Sequence, residues 1–334
     1  MAEENNFYCG ENLHKAVFET PAERKFNIHS LEPEHTITMW YAADGVGKST
    51  LLLQKALELA SGLNVFGGFP TKENANVIYV MTERHRYEAF ERIQKMSQLY
   101  NFKWENFAIT DQLQGFNILI QNDFMRFVEG ILKISKVFED RGGVAEVNID
   151  PIYAIVPRGL TGEEGSGAVT QLCRRLQSEL GCSVHFTHHS NRGVKDLDTG
   201  KRGKEDMYGS RFLSANCTGV FRIVNTHIGT DIIQEKDSLQ CLTKKISLTF
   251  NDETYVSLMN LDDSIVTKAE KIKQFIRNCY TLKKDFTSTE LDKETGVMPG
   301  YRRIQVSIQV DEGVLINLKP KGGEGLYRVL RPPV

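Results

Sequence analysis

The stretch Trp40 to Thr50, WYAADGVGKST, decides how the rest of the chain is read. Set against the phosphate-binding pattern G-x-x-x-x-G-K-[ST], it brings Gly47, Lys48 and Ser49 into register and puts Ala42 where the first glycine belongs. Glycine is required there only if φ is positive or the backbone passes very close to a neighbour, and alanine is the least damaging replacement. The flanks supply the right setting. HTITMWY has the β-branched and aromatic content of a strand, and STLLLQKALELASG carries apolar residues at helical spacing with Gly62 as a stop. In such a turn the N–H groups of Gly45 to Ser49 wrap a β-phosphate at a helix N-terminus, within a loop that also includes Asp44, Val46 and Thr50. Lys48 reaches the β/γ-phosphates and Ser49 is placed to hold magnesium. The alternative, an accidental GKS in a surface turn, is disfavoured by the flanking strand and helix.

The 334 residues are 40% hydrophobic and 25% charged. At roughly 150 residues per domain this implies one large domain and a smaller one. There is no run of about 18 apolar residues. The opening MAEENNFYCGENLHK is polar and acidic where a secretory signal is basic and then apolar, so a cytoplasmic protein without a membrane partner is expected. Six cysteines, Cys9, Cys173, Cys182, Cys217, Cys241 and Cys279, form no C-x-x-C pair and read as reduced, mostly buried thiols. A net charge of −2 gives no global pull toward nucleic acid, so any such contact must come from a local basic surface.

Further strands end in chemistry-bearing residues. ANVIYVMTER is an apolar run reaching Glu83, a candidate base or water-orienting residue at the carboxyl end of a parallel strand. Its alternative is a solvated first-turn glutamate of the helix RYEAFERIQKMSQLY. GVAEVNID closes on Asp150, followed by Pro151: an acid at a strand end downstream of a P-loop is the Walker B arrangement that supports magnesium through water. Glu146 and Asn148 make that strand less apolar than usual, so one of its faces is expected to be incompletely buried. GCSVHFTHHS follows the amphipathic helix GAVTQLCRRLQSEL and ends in His188 and His189. His185 and His188 are poorly spaced for zinc on a strand, with no cysteine or acidic partner nearby, which favours a phosphate-sensing or coupling residue.

With these pieces in order, the chain from about Ile37 to Asn260 resembles the RecA-like ATPases, and most closely the plasmid RepA-type hexameric replicative helicases and related phage and plasmid ATPases. The resemblance rests on ADGVGKST, on VIYVMTER with Arg92 nine residues beyond Glu83, and on VNIDPIYAI, VHFTHHSNRG, YGSRFLSANCTGVFRI and LTKKISLTF. It implies an α/β fold, a RecA-like P-loop NTPase core with a mainly parallel sheet, and subunits in a ring with ATP between neighbours. It also implies roles: Lys48 and Ser49 bind phosphate and magnesium, Arg92 helps hold the nucleotide, Glu83 activates water, Asp150 supports magnesium, and His189, rather than His188, senses the γ-phosphate.

In that group an arginine precedes the Gly-Ser pair; here Tyr208 stands there and Arg211 follows. Arg211 is the candidate arginine finger, with Lys244 or Lys245 as further sources of a cation; an ordinary surface arginine is the alternative. SNRGVKDLDTGKRGKEDMY reads as a loop. By resemblance it lines a central channel, where Arg192, Lys195, Lys201, Arg202 and Lys204 would meet single-stranded DNA phosphates, the alternative being a solvated loop with no partner.

The composition changes after LMNLDDS, giving expected units of 1–28, 29–263 and 264–334. In the last unit KAEKIKQFIRNCY is an amphipathic helix, Thr287 and Glu290 fit a capping box, PGYRRIQVSIQVDEG is a third helix opened by Pro299, and VLINLKPKGGEGLYRVL gives two strands around a glycine turn. Three helices and a hairpin make a small winged-helix domain. From Lys268 on it carries five more basic than acidic residues, and Tyr301, Arg302 and Arg303 begin the helix that such a domain presents to DNA. Docking another protein is the alternative. The whole reads as an ATP- and Mg2+-dependent, ring-forming motor on single-stranded DNA, a homo-hexameric replicative helicase or helicase-like ATPase. The alternatives are a recombination or annealing ATPase and an initiator or regulator that uses ATP as an assembly switch.

Overall fold

The computed structural model describes residues 24–83, 86–156, 163–189, 211–226, 229–237, 245–259, 268–281, 283–295, 306–307, 309–310, 313–318 and 325–330. A short antiparallel pair, β1 (Phe26–Ile28) and β2 (Glu32–Pro33), leads into β3 (Ile37–Ala42) and α1 (Lys48–Ser61). There follow β4 (Val77–Met81), α2 (Arg86–Met96), β5 (Phe107–Thr110), α3 (Gln121–Ser135), β6 (Glu146–Asp150), α4 (Glu163–Leu180) and β7 (Ser183–His189). A second run holds α5 (Arg211–Asn216), β8 (Gly219–Thr226), β9 (Gly229–Asp237), β10 (Lys245–Asn251) and β11 (Val256–Met259). The chain closes with α6 (Lys268–Thr281), β12 (Phe286–Thr287), α7 (Ser288–Thr295), β13 (Leu315–Asn317) and β14 (Leu326–Val329).

Nine strands form one sheet in the order β11-β10-β9-β8-β3-β7-β6-β4-β5. The six from β8 to β5 are parallel and the remaining three continue antiparallel from β8. Strand alternation sorts the core into two layers. Met39, Tyr41, Val80, Ile149 and Phe186 face α3 and α4, whereas Trp40, Tyr79 and Met81 face α1 and α2. α1 is buried along nearly its whole length, because it lies across the middle of the sheet, and Gly62 ends it with φ of 68°.

Two expectations about the interior are overturned. All five residues of β6 are buried, and the polar face of that strand is covered by α1. The Lys55 ammonium on α1 lies 2.8 Å from Glu146 and 2.9 Å from Glu32, while Asn148 donates to Glu146 at 2.7 Å. His185 is likewise not without acidic partners: its two ring nitrogens lie 3.2 Å from Glu32 and 3.4 Å from Glu146, and all four side chains are fully buried. Lys55 sits among the acids that could otherwise gather a metal ion. Burial works to raise the Glu32 carboxyl, but His185 and Lys55 reverse this and hold it at about 2; burial works to lower Lys55, but Glu146 and Glu32 hold it above the usual lysine value.

After β11 a three-stranded sheet, β12-β14-β13, packs with α6 and α7 around its own cluster of Ile272, Ile276, Phe286, Leu291 and Leu315. The capping box is present: Thr287 N–H donates to Glu290 at 2.7 Å and Glu290 N–H to the Thr287 hydroxyl at 3.2 Å. The four described cysteines, Cys173, Cys182, Cys217 and Cys279, are buried free thiols, and burial pushes each thiol up. No described helix is long and apolar enough to cross a membrane.

Candidate active site

β3 is flanked by β7 and β8 on opposite sides and is the central strand of the nine, so the loop leaving its carboxyl end opens at the middle of the whole sheet. Ala42 is the last residue of that strand, 1% exposed and paired in register with His189. The positive φ values fall later in the loop, at Gly45 (77°) and Gly47 (97°), which explains why alanine is accepted where the motif has glycine. A Cβ on either glycine would meet nothing within 4 Å. The backbone conformation rather than crowding therefore requires glycine there, and the space beside the loop stays open to a ligand.

A cleft of about 680 Å³ lies at this end of the sheet. Asp44, Gly45, Gly47, Lys48, Ser49 and Thr50 form one wall, and Glu83, Arg92, Asp150 and His189 complete it, so these sequence-derived candidates are brought together. Val46 instead packs against the core under α1. Lys48 is 7% exposed and donates to the carbonyls of Ala42 at 3.0 Å and Ala43 at 2.9 Å, with His189 Nδ1 at 3.3 Å. Ser49 Oγ donates to Asp150 Oδ1 at 3.1 Å. Glu83 lies exposed, two residues past the end of β4 and before α2 begins, so it is not part of that helix's first turn. Arg92 reaches over from α2 and pairs with Glu88 at 3.6 Å.

The adjacent histidines point to opposite faces. His188 is buried, while His189 turns toward the loop, touching Asp44 and resting edge-on against Tyr153 with ring centroids 4.4 Å apart. Desolvation lowers the His189 pKa and Lys48 lowers it further, against opposing pulls from Asp44 and Glu83. This favours a neutral imidazole beside the lysine.

Several cleft residues were missed in the sequence: Glu88, Tyr153 and Thr187 line it, and Tyr79 donates to Asp150 at 2.7 Å from beneath. Strand alternation carried a signal for Thr187, which lies two residues before His189 on the same face of β7. Arg211 opens α5, but its side chain lies outside the described residues. Lys244 lies outside them too, and Lys245 pairs with Asp231 at 2.9 Å. Arg192, Lys195, Lys201, Arg202, Lys204, Tyr301, Arg302 and Arg303 also fall outside.

A family model described as AAA domain matches residues 12–194, which include the phosphate loop, Glu83, Asp150 and His189. The chain belongs to the AAA domain family. With its glycine loop, lysine and strand-end acid in one cleft, this AAA-domain chain is an ATPase. Among solved structures it is similar to a DnaB-like replicative helicase described with its interactions with primase, at TM-score 0.51 and 12% identity, over 74% of this chain and 66% of that one. This likeness shows the RecA-like P-loop NTPase fold. Weaker superpositions relate it to a structure described as an ATPase domain (TM-score 0.49, 14% identity, 67% of this chain and 84% of that one) and to the KaiC-like protein PH0186 of Pyrococcus horikoshii OT3 (0.47, 17%, 72% and 99%). No curated protein matches the sequence.

Proposed function

We propose that this ATPase is a ring-forming, ATP-driven motor on single-stranded DNA, a replicative helicase or helicase-like enzyme of the RepA-type group, assembled as a hexamer. One observation carries the reading: Lys48, Ser49, Asp150, Glu83 and His189, drawn from four separate segments, converge on one cleft at the carboxyl end of the parallel strands. Such a cleft suits phosphoryl transfer, which needs positioning and charge stabilisation. The loop N–H groups and Lys48 hold the phosphates of ATP. Ser49 and Asp150 present the oxygen donors that magnesium requires, and the ion bound there would offset phosphate charge. Glu83 accepts the proton of the attacking water, and His189 contacts the terminal phosphate. Arg92 steadies the nucleotide from α2, and Arg211 reaches the site of the adjacent subunit.

The last unit, 264–334, is the DNA-facing accessory domain: helix α6, strand β12, helix α7, helical residues 306–307 and 309–310, then the β13/β14 pair follow winged-helix order. Single-stranded DNA runs along Arg192, Lys195, Lys201, Arg202 and Lys204, and Tyr301, Arg302 and Arg303 add duplex or fork contacts. The test is ATP turnover and particle mass, each measured with and without single-stranded DNA, and strand displacement on a forked substrate. Stimulation, hexamer mass and displacement are expected. Slow turnover that ignores DNA would replace the motor with an ATP-dependent assembly switch.

A further inference from the structure

Asp150 closes β6, and the strands on either side of β6 each send a hydroxyl to its carboxylate. Tyr79, on β4, donates to Oδ2 at 2.7 Å. Thr187, on β7, donates to Oδ1, which also accepts from Ser49. Tyr79 is 2% exposed, Thr187 fully buried and Asp150 5% exposed, so water cannot readily replace either hydroxyl. The Tyr79 oxygen is also 3.3 Å from the Ser49 carbonyl, but its single proton goes to the nearer, charged acceptor. With donors on both oxygens, from two different strands, the carboxylate plane cannot turn without breaking a buried hydrogen bond. This matters for magnesium, a small ion that demands near-octahedral geometry and keeps several waters, so that a supporting acid must present its oxygen in one place.

We propose that Tyr79 and Thr187 are positioning residues that fix the Asp150 carboxylate in the orientation in which it supports magnesium. The inference rests on the reading of Asp150 as the magnesium-supporting acid. Both hydroxyls are spent on Asp150 and act through it. The serine of the phosphate loop and the two hydroxyls together define a small triangle of donors around one acid, built from α1, β4 and β7.

The test uses the full chain and a fluorescent ATP analogue, with affinity measured in EDTA and then across a magnesium titration. In Tyr79→Phe and Thr187→Val the magnesium concentration giving half of the metal-dependent gain in affinity should rise about tenfold, the scale of losses when a metal ligand's supporting hydrogen bond is removed. Affinity in EDTA should stay at the wild-type value in Tyr79→Phe, whose hydroxyl lies beneath the cleft and not in its lining, and Thr187→Ser, which keeps the hydroxyl, should titrate as wild type. Asp150→Asn is the reference. If it shifts the titration while Tyr79→Phe and Thr187→Val do not, the positioning role is overturned and the reading of Asp150 survives. If Asp150→Asn itself titrates as wild type, that reading falls and the inference with it. Equal losses with and without magnesium would make the hydroxyls structural and overturn the proposal. Should one variant fail to fold, the other decides.

Discussion

The Lys48 ammonium and Nδ1 of His189 lie 3.3 Å apart, although the two residues are separated by most of the parallel sheet in sequence. Desolvation and this cation both lower the His189 pKa below its ordinary 6.5. Between the lowered value and 6.5 the unfolded chain binds the extra proton, so stability rises with pH there and falls as acid is added. His189→Asn should therefore flatten the acid limb, losing less stability than wild type between pH 7 and pH 5.5, as read from urea midpoints on the order of a few tenths molar apart. Parallel limbs for the two proteins would show that His189 is not the group responsible.

Lys48 and Glu83 separate binding from chemistry. Removing the cation from the loop in Lys48→Ala should abolish tight nucleotide binding, whereas Glu83→Gln should keep the shape of the cleft and lose the proposed proton acceptor. A fall in turnover of about a hundredfold or more is expected for Glu83→Gln with unchanged nucleotide affinity. Wild-type hydrolysis by Glu83→Gln would remove it from the role of water-activating residue.

Ala42 gives a prediction against the motif. Because this residue ends a buried strand and the positive φ values belong to Gly45 and Gly47, restoring the motif's glycine should gain nothing for the ligand. Ala42→Gly should cost about 0.5–1 kcal/mol of stability through added freedom of the unfolded chain, with nucleotide affinity unchanged. A clear gain in affinity would mean that the Cβ obstructs the phosphate path.

The cleft was legible in the sequence because its chemistry sits at strand ends, where short apolar runs stop at a single polar residue: Glu83, Asp150 and His189 each stand at or just beyond such an end. The interior was less so. Glu146 and His185 looked like signs of an open face or an unpartnered ring, since their partners Lys55 and Glu32 lie far away in sequence, on α1 and β2, and only the folded chain brings them against β6 and β7. The same holds for Tyr79, whose partner Asp150 is on the neighbouring strand. The antiparallel edge from β9 to β11 also gave little signal, because strands paired by long-range register carry few local markers.

Arg211 follows the Gly-Ser pair and begins α5, and if it serves as a finger its target is the ATP of the neighbouring subunit. Arg211→Ala should then bind nucleotide normally and hydrolyse it poorly, by a factor of about 10³. Mixing Arg211→Ala with Lys48→Ala subunits should restore part of the activity, since some interfaces pair an intact loop with an intact arginine. Absence of recovery in particles shown to contain both variants would exclude action across the interface.

Lys55 bridges Glu32 and Glu146 at 2.9 and 2.8 Å, and His185 faces the other oxygen of each acid, all without exposure to solvent. Removing the ammonium alone leaves two carboxylates buried with only the imidazole between them. Lys55→Met should therefore cost about 3–5 kcal/mol, far more than the lost side-chain packing, because the acids remain and their partner does not. The triple change Lys55→Met, Glu32→Gln, Glu146→Gln removes the uncompensated charge and should recover a large part of that loss, as desolvation of the ions opposes the native cluster. Held down at about 2, Glu32 also makes the wild-type protein lose stability as pH falls below the ordinary carboxyl value of 4.5, and the triple variant should lack that component. Urea unfolding of the three proteins at pH 7 and pH 4 measures all of this. If Lys55→Met were no less stable than wild type, the four side chains would be passive fillers of the space beneath α1 rather than a matched set.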